Sequence, residues 1–217
     1  MGFRLYIYRK IAIIEIKDTY RTVVKRCQGE IHKVKGSKFI GIAIPVETED
    51  DIKPCLEAVK KEFYDARHWC YAWRLGTESF RFRANDDGEP SNSAGQPIYG
   101  QILSKDVTNV LIVVVRYFGG VKLGVGGLIS AYKLGAQFAL ESSEIVERII
   151  CVHFKLVFDY PHMNKVMRII KENKLEIIAQ KMELNCEYVL AVRKSEAEKI
   201  QQLYTNLRCL TIKEIET

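Results

Sequence analysis

The chain has no two cysteines in a Cys-x-x-Cys pair and no two histidines at zinc spacing. Its six cysteines, Cys27, Cys55, Cys70, Cys151, Cys186 and Cys209, are scattered. That argues against a structural zinc site and a disulfide scaffold, and for reduced thiols. No apolar run is long enough to cross a bilayer, and residues 1–17 break their apolar runs with charges where a signal peptide would keep an unbroken core. A cytoplasmic protein with no membrane partner is therefore expected. Nucleotide fingerprints are missing too. There is no Gly-x4-Gly-Lys-Ser/Thr, and Gly124-Val125-Gly126 runs on to Ile129 where a dinucleotide loop wants a third small residue.

A strong excess of one charge is also lacking in the body of the chain. The net charge is +6 over 217 residues, and residues 1–17 hold +3 of it through Arg4, Arg9, Lys10 and Lys17 against Glu15. Residues 18–146 carry 17 basic and 16 acidic side chains, and residues 147–217 carry 12 and 10. Only a local basic patch, not the overall field, can then support binding to nucleic acid. The length and ordinary composition suit one large core or two small ones.

What is present centres on Asn109 to Leu140. Val110 to Val115 is apolar throughout and β-branched except for Leu111, which predicts a strand buried on both faces and central in its sheet. Leu128, Ala131, Tyr132, Gly135, Phe138 and Ala139 are spaced by threes and fours, so they predict a helix that covers the sheet. Between them stand Arg116, Tyr117, Phe118, Lys122 and glycines at 119, 120, 124, 126 and 127. A strand, a glycine-rich loop and a helix start after Gly127 make a candidate anion site, since the first N–H groups of a helix are unpaired and its dipole favours negative charge. The glycines are equally suited to close packing of helix on strand.

Upstream, Tyr20–Val24, Ile31–Val34 and Phe39–Val46 are expected to form an antiparallel meander turning at Lys35-Gly36-Ser37-Lys38. A helix follows from about Asp50 to Phe63, with Pro54 in its first turn. Ala66–Arg74, rich in aromatics, and Phe80–Ala84 are the next strands. His68 in the first of them is a candidate general base, although a lone histidine among aromatics is more often half-buried and satisfied. The polar stretch Asn85 to Pro97 holds Asp86, Asp87 and Glu89, three carboxylates within four residues that suit a hard cation or proton transfer, or an acidic surface turn. A short helix is expected at Ile98–Leu103.

After Ser142 the pattern changes. A strand at Ile149–Phe158, a helix marked by Met163, Val166, Met167 and Ile170, strands at Leu175–Leu184 and Glu187–Val192, a helix through Ile200, Leu203, Tyr204 and Leu207, and a strand at Cys209–Ile215 give the order β-α-β-β-α-β. That order is the split βαβ, or ferredoxin-like, arrangement. The expected organisation is an N-terminal appendage at 1–17, a first domain at 18–144 and a ferredoxin-like domain at 147–217, with no chemistry assigned to the last.

Lys35-Gly36-Ser37-Lys38-Phe39, His68 with Trp73-Arg74, Asp86-Asp87-Gly88-Glu89-Pro90-Ser91 with Ala94-Gly95, and Arg116-Tyr117-Phe118-Gly119-Gly120 through Leu123-Gly124, Gly126-Gly127-Leu128 and Ala131-Tyr132 together resemble the YigZ/IMPACT family in four ordered blocks. Asn92-Ser93 departs from that family's Pro-Ser/Ala-Gly-Thr-Ala-Gly, and residues 1–17 fall outside its pattern. The resemblance implies an α+β first domain of the ribosomal-protein-like βαβ type, similar to the fourth domain of elongation factor G, and a second domain like that factor's fifth. It also implies an association with translation, which eukaryotic members regulate at initiation through a kinase activator.

The expected function is that of a non-catalytic RNA- or ribosome-associated protein in translation regulation, with a protein of the translation machinery as a possible partner. Its nucleic-acid or anion set is Lys35, Ser37, Arg74, Arg116, Tyr117, Gly119, Gly120, Lys122, Gly124, Gly126, Gly127 and Tyr132, with Tyr71, Trp73 and Tyr117 available to stack on bases. The motif turn is Asp86, Asp87, Gly88, Glu89, Pro90, Ser91, Ala94 and Gly95. No cofactor or resident metal is expected. The alternatives are a metal-assisted hydrolase or transferase on a phosphorylated or peptide substrate, using His68, Asp86, Asp87 and Glu89, and a pure protein-interaction module.

Overall fold

A computed structural model describes residues 18–215, so the arm expected at 1–17 lies outside the described residues. The chain is a mixed α/β protein of two units: Thr19–Arg148, and Asp18 with the residues from Ile149 onward.

The first unit contains β1 (Thr19–Val23), β2 (Cys27–Gln28), β3 (His32–Val34), β4 (Ser37–Pro45), α1 (Ile52–Glu62), β5 (His68–Leu75), β6 (Arg81–Asn85), α2 (Gly95–Ser104), β7 (Val110–Tyr117), α3 (Gly124–Glu141) and β8 (Ile145–Ile149), whose last residue opens the second unit. The main sheet runs β2-β4-β7-β5-β6, with β3 also on β4. β7 is antiparallel to β4 on one side and to β5 on the other. Its unbroken apolar run suits that central place, because both faces of the sheet are covered. Val110, Ile112 and Val114 pack under α2 and α3, with Ile98, Ile102, Leu128 and Tyr132. Leu111, Val113 and Val115 pack under α1, with Ile52, Val59 and Trp73.

Two expectations are corrected here. β1 is not part of a meander: it leaves the main sheet and pairs with β8, while β2 and β3 both return onto β4. α3 begins at Gly124, not after Gly127, so three of the loop glycines belong to its first turn. Strands that are neighbours in sequence are not obliged to pair.

The second unit contains β9 (Cys151–Phe158), α4 (Met163–Glu172), β10 (Glu176–Met182), β11 (Cys186–Arg193), α5 (Ala197–Thr205) and β12 (Leu210–Ile215). Its strands lie in the order β10-β11-β9-β12, all neighbours antiparallel. Phe154, Leu156 and Phe158 alternate along β9 and meet Tyr188, Leu190 and Val192 of β11, Val166 and Ile170 of α4 and Ile200 and Tyr204 of α5 in a separate core. The units divide between Arg148 and Ile149, just after the expected seam, because residues 145–148 belong to β8 and its pairing with β1.

Candidate functional site

Because β5 and β7 are antiparallel, the first residue of β5 meets the end of β7, and His68 lies opposite Arg116. Cys70, Ala72, Val114 and Arg116 share the face under α3, as two-residue alternation requires. The loop after β6 reaches the same place. His68 Nδ1 lies 2.8 Å from the carbonyl oxygen of Asp87. A carbonyl only accepts, so Nδ1 carries a proton and donates it.

The three carboxylates of the acidic turn have separate tasks. Asp86 is a structural hub: Oδ1 accepts the amides of Ala94 and Gly95 at 2.9 and 2.8 Å, and Oδ2 accepts that of Asn92 at 2.9 Å. These bonds close the loop over the start of α2. Asp87, at φ 42°, accepts the amide of Trp69 at 2.7 Å. Both carboxylates are thus engaged by backbone amides. Among the described residues no group of three or more His, Cys, Asp or Glu side chains is placed to hold a metal ion. Asn92 sits at φ 61°, a left-handed conformation that asparagine tolerates and the family's glycine adopts freely. Ser93 Oγ donates to the carbonyl of Pro90 at 2.6 Å. The departure Asn92-Ser93 therefore still closes the turn.

Glu89 is the carboxylate delivered to the site. Its side chain is 5% exposed and forms an ion pair with Arg116, itself buried. Tyr132 of α3 donates its hydroxyl to Glu89 Oε1 at 2.7 Å, and His68 Nε2 stands 3.9 Å from the same oxygen. All these approaches are to Oε1. Burial pushes up both the Tyr132 phenol and the Cys70 thiol beside it, so Cys70 is no ready nucleophile.

A cleft of about 440 Å³ opens over this network, lined by Arg67, His68, Glu89, Pro90, Arg116, Phe118, Leu128 and residues 122–125. Lys122 and Arg67 are exposed at it and have no ion pair among the described residues. No side chain caps the start of α3. Phe118 is 45% exposed, with the Arg116 guanidinium 5.4 Å from its ring centre.

Several expected site residues lie elsewhere or are occupied. Arg74 is at the far end of β5, buried, with Nη1 on the carbonyl of Val107 at 3.1 Å and its guanidinium over Phe80. Tyr117 points to the α1 face and donates to Asp65 at 2.8 Å; burial, chiefly, and that bond push its phenol up to about 12. Tyr71 and Trp73 pack in the same α1-side core. Ser37 is buried and accepts the Gly119 amide at 3.1 Å. Gly119 lies so close to Gly36 that a Cβ on it would come within 1.9 Å of the Gly36 carbonyl carbon. Lys35 and Gly36, at φ 46° and 77°, form the two-residue turn between β3 and β4, with Lys35 exposed. Gly120 is exposed, and Gly126 and Gly127 lie in the first turn of α3 without lining the cleft.

The binding set expected from the sequence omits Arg67, Phe118, Leu123 and Val125, although Phe118 and Leu123 stand in the motif blocks. Phe118 had a signal: it is two residues beyond Arg116, hence on the same side of the chain if the strand geometry continues.

Residues 35–140 match the Impact N-terminal domain. An IMPACT family member of Haemophilus influenzae is 33% identical over 168 residues, covering 76% of this chain and 82% of that protein. The chain belongs to the IMPACT family. The family member YvyE of Bacillus subtilis is 31% identical over 189 residues and 87% of each chain. A crystal structure of a hypothetical protein superposes with a TM-score of 0.67 at 26% identity, over 92% of this chain and 98% of that one. Every residue lining the cleft falls inside the stretch that matches the IMPACT domain.

Proposed function

We propose that this chain is a non-catalytic, RNA- or ribosome-associated protein of translation regulation, acting in the cytoplasm, and that the cleft of the first unit holds RNA phosphate. The observation that carries the binding reading is the uncapped start of α3 opening into a cleft with Lys122 and Arg67 at it. Unpaired N–H groups, the positive end of the helix dipole and two exposed cations favour a phosphate. Phe118 replaces Tyr71, Trp73 and Tyr117 as the aromatic available to an unpaired base. Arg116 and Arg74 leave the contact set because their charges are engaged inside the protein. Membership of the IMPACT family supports the translational part, since the resemblance set out above implies it. We further read the strand order of the second unit as ferredoxin-like, and the first unit as similar to the fourth domain of elongation factor G.

One observation favours a second reading, a hydrolase or transferase: His68 Nε2 lies beside a buried carboxylate at the cleft. Against it, Asp86 and Asp87 are engaged by backbone amides, Ser37 and Ser93 are tied into turns, and burial pushes the Cys70 thiol up.

The test is titration of the full chain with short single-stranded RNA at several salt concentrations, beside Lys122→Ala and Arg67→Ala. Each variant is expected to weaken binding to all sequences alike and to lower the logarithmic salt slope by about one. Residues 1–17 are common to all three proteins, so their charge cancels in the comparison. Equal affinities and slopes for the three would overturn the proposal.

A further inference from the structure

β6 is an edge of the main sheet: it pairs with β5 and has no strand on its other side among the described residues. Its register with β5 runs from Tyr71 opposite Asn85 to Leu75 opposite Arg81 without a bulge, and the strand contains no proline. The opposite edge is blunted, since β2 and β3 have only two and three residues. An edge strand leaves the N–H and C=O of alternate residues unpaired, so β6 is a template for one more strand. Arg81, Phe82 and Arg83 are all exposed along it.

The two faces of this edge differ in chemistry. Ala84 packs against the core under α2, so Phe82, two residues away, shares that face, and its ring stacks on Tyr99 of α2 with centres 4.4 Å apart. Phe82 and Phe80 are 52% and 44% exposed, and Leu103, one turn beyond Tyr99, is a third exposed apolar side chain on that side. Arg81 and Arg83 stand opposite Leu75 and Trp73, which pack under α1, so the two arginines show on the other face. Arg83 has no ion pair among the described residues, and the Arg81–Glu49 pair is exposed on both sides and worth little. A strand added here sets apolar side chains beside Phe82 and acidic ones beside the arginines. A second copy of this chain does not fit, because β6 paired antiparallel with itself about Phe82 or Arg83 sets arginine against arginine. Residues 1–17, with four basic side chains against one acidic, do not fit either. We propose that β6 docks an extended segment of a partner protein in which acidic and apolar residues alternate, added to the sheet beyond β6.

The experiment is nuclear magnetic resonance titration of the isotopically labelled full chain with three peptides. They are Glu-Val-Glu-Ile-Glu-Val-Glu, its counterpart Lys-Val-Lys-Ile-Lys-Val-Lys, and the acidic peptide methylated at every backbone nitrogen. The acidic peptide is expected to shift the amides of residues 81–85 and to bind about tenfold more tightly than the lysine peptide. The methylated peptide keeps the side chains and loses the ladder donors, so its binding is expected to vanish. Arg83→Glu, verified as folded by circular dichroism, is expected to remove the preference for the acidic peptide. If that variant does not fold, the three peptides on the unaltered chain decide alone. Shifts centred away from β6, equal affinity for the two charged peptides, undiminished binding of the methylated one, or no binding at all overturn the proposal. If no peptide binds and Arg83→Glu weakens RNA instead, β6 is a nucleic-acid contact and the proposal falls. The phosphate site is judged separately, by Lys122→Ala and Arg67→Ala.

Discussion

Glu89 and Arg116 lie 27 residues apart in sequence and meet in a site where each side chain is 5% exposed. A buried pair of this kind adds little net stability over well-packed apolar residues, yet removing one partner strands a charge, which costs about 3–5 kcal/mol. Glu89→Leu and Arg116→Met are therefore each expected to destabilise by about that amount. The double variant should cost clearly less than the sum, giving a coupling above about 1 kcal/mol in urea unfolding. Additivity of the two single losses would show that the charges are solvated and the cleft wall is not the closed network described. The same pairing engages the charge of Arg116, an obvious phosphate ligand by residue type, inside the protein.

At the scale of elements, α3 lies on β4 and β7 at a spacing that only glycine permits. A Cβ on Gly41 of β4 would stand 1.9 Å from the Gly135 carbonyl oxygen, and one on Gly135 would meet Val114 at 2.9 Å. Both neighbours are anchored, Gly135 in the interior of α3 and Val114 in the central strand, so neither can give way cheaply. Gly41→Ala is expected to cost about 1–3 kcal/mol by overpacking, and to disturb the cleft by lifting the start of α3. Gly100 in α2 is the control, since a Cβ there meets nothing within 4 Å. Gly100→Ala should stabilise by about 0.5–1 kcal/mol through helix propensity. Chemical denaturation of the two variants checks both signs, and a Gly41→Ala protein as stable as the parent would refute the close packing.

At the scale of the molecule, the two units have separate cores, and we expect them to unfold as separate transitions in calorimetry. Asp18 marks the second unit. The Arg193 guanidinium, first, and the Ser195 hydroxyl hold its carboxyl down at about 2 from the usual 3.8. A lowered carboxyl contributes stability that is full above its unfolded value and is lost as pH falls through the folded one. The second unit's transition should therefore weaken as pH drops from about 4 to about 2. Asp18→Asn should flatten that part of its pH dependence and leave the first unit's transition unchanged. A variant with the parent's acid profile in both transitions would sink the assignment.

The sequence by itself determined the parts of this protein that rest on local periodicity and local turns. The run Val110–Val115 announced the central strand, the spacing of Leu128, Ala131, Tyr132 and Gly135 announced α3, and the alternating order after residue 148 announced the second unit's elements. Each depends on which face a residue shows, and that repeats every two or every 3.6 residues. The four motif blocks likewise marked the stretch from which the cleft is built. Only tertiary structure decided what each motif residue does. Asp86, Asp87 and Glu89 are equivalent carboxylates on paper, and hydrogen bonds to Ala94, Gly95, Trp69 and Arg116 make two of them scaffolding and one a cleft wall. Arg74 and Arg116 share a residue type, but the antiparallel pairing of β5 and β7 sends Arg74 to the end of β5 opposite His68, while Arg116 meets His68. Those outcomes are set by register and by partners tens of residues away, which no local pattern encodes.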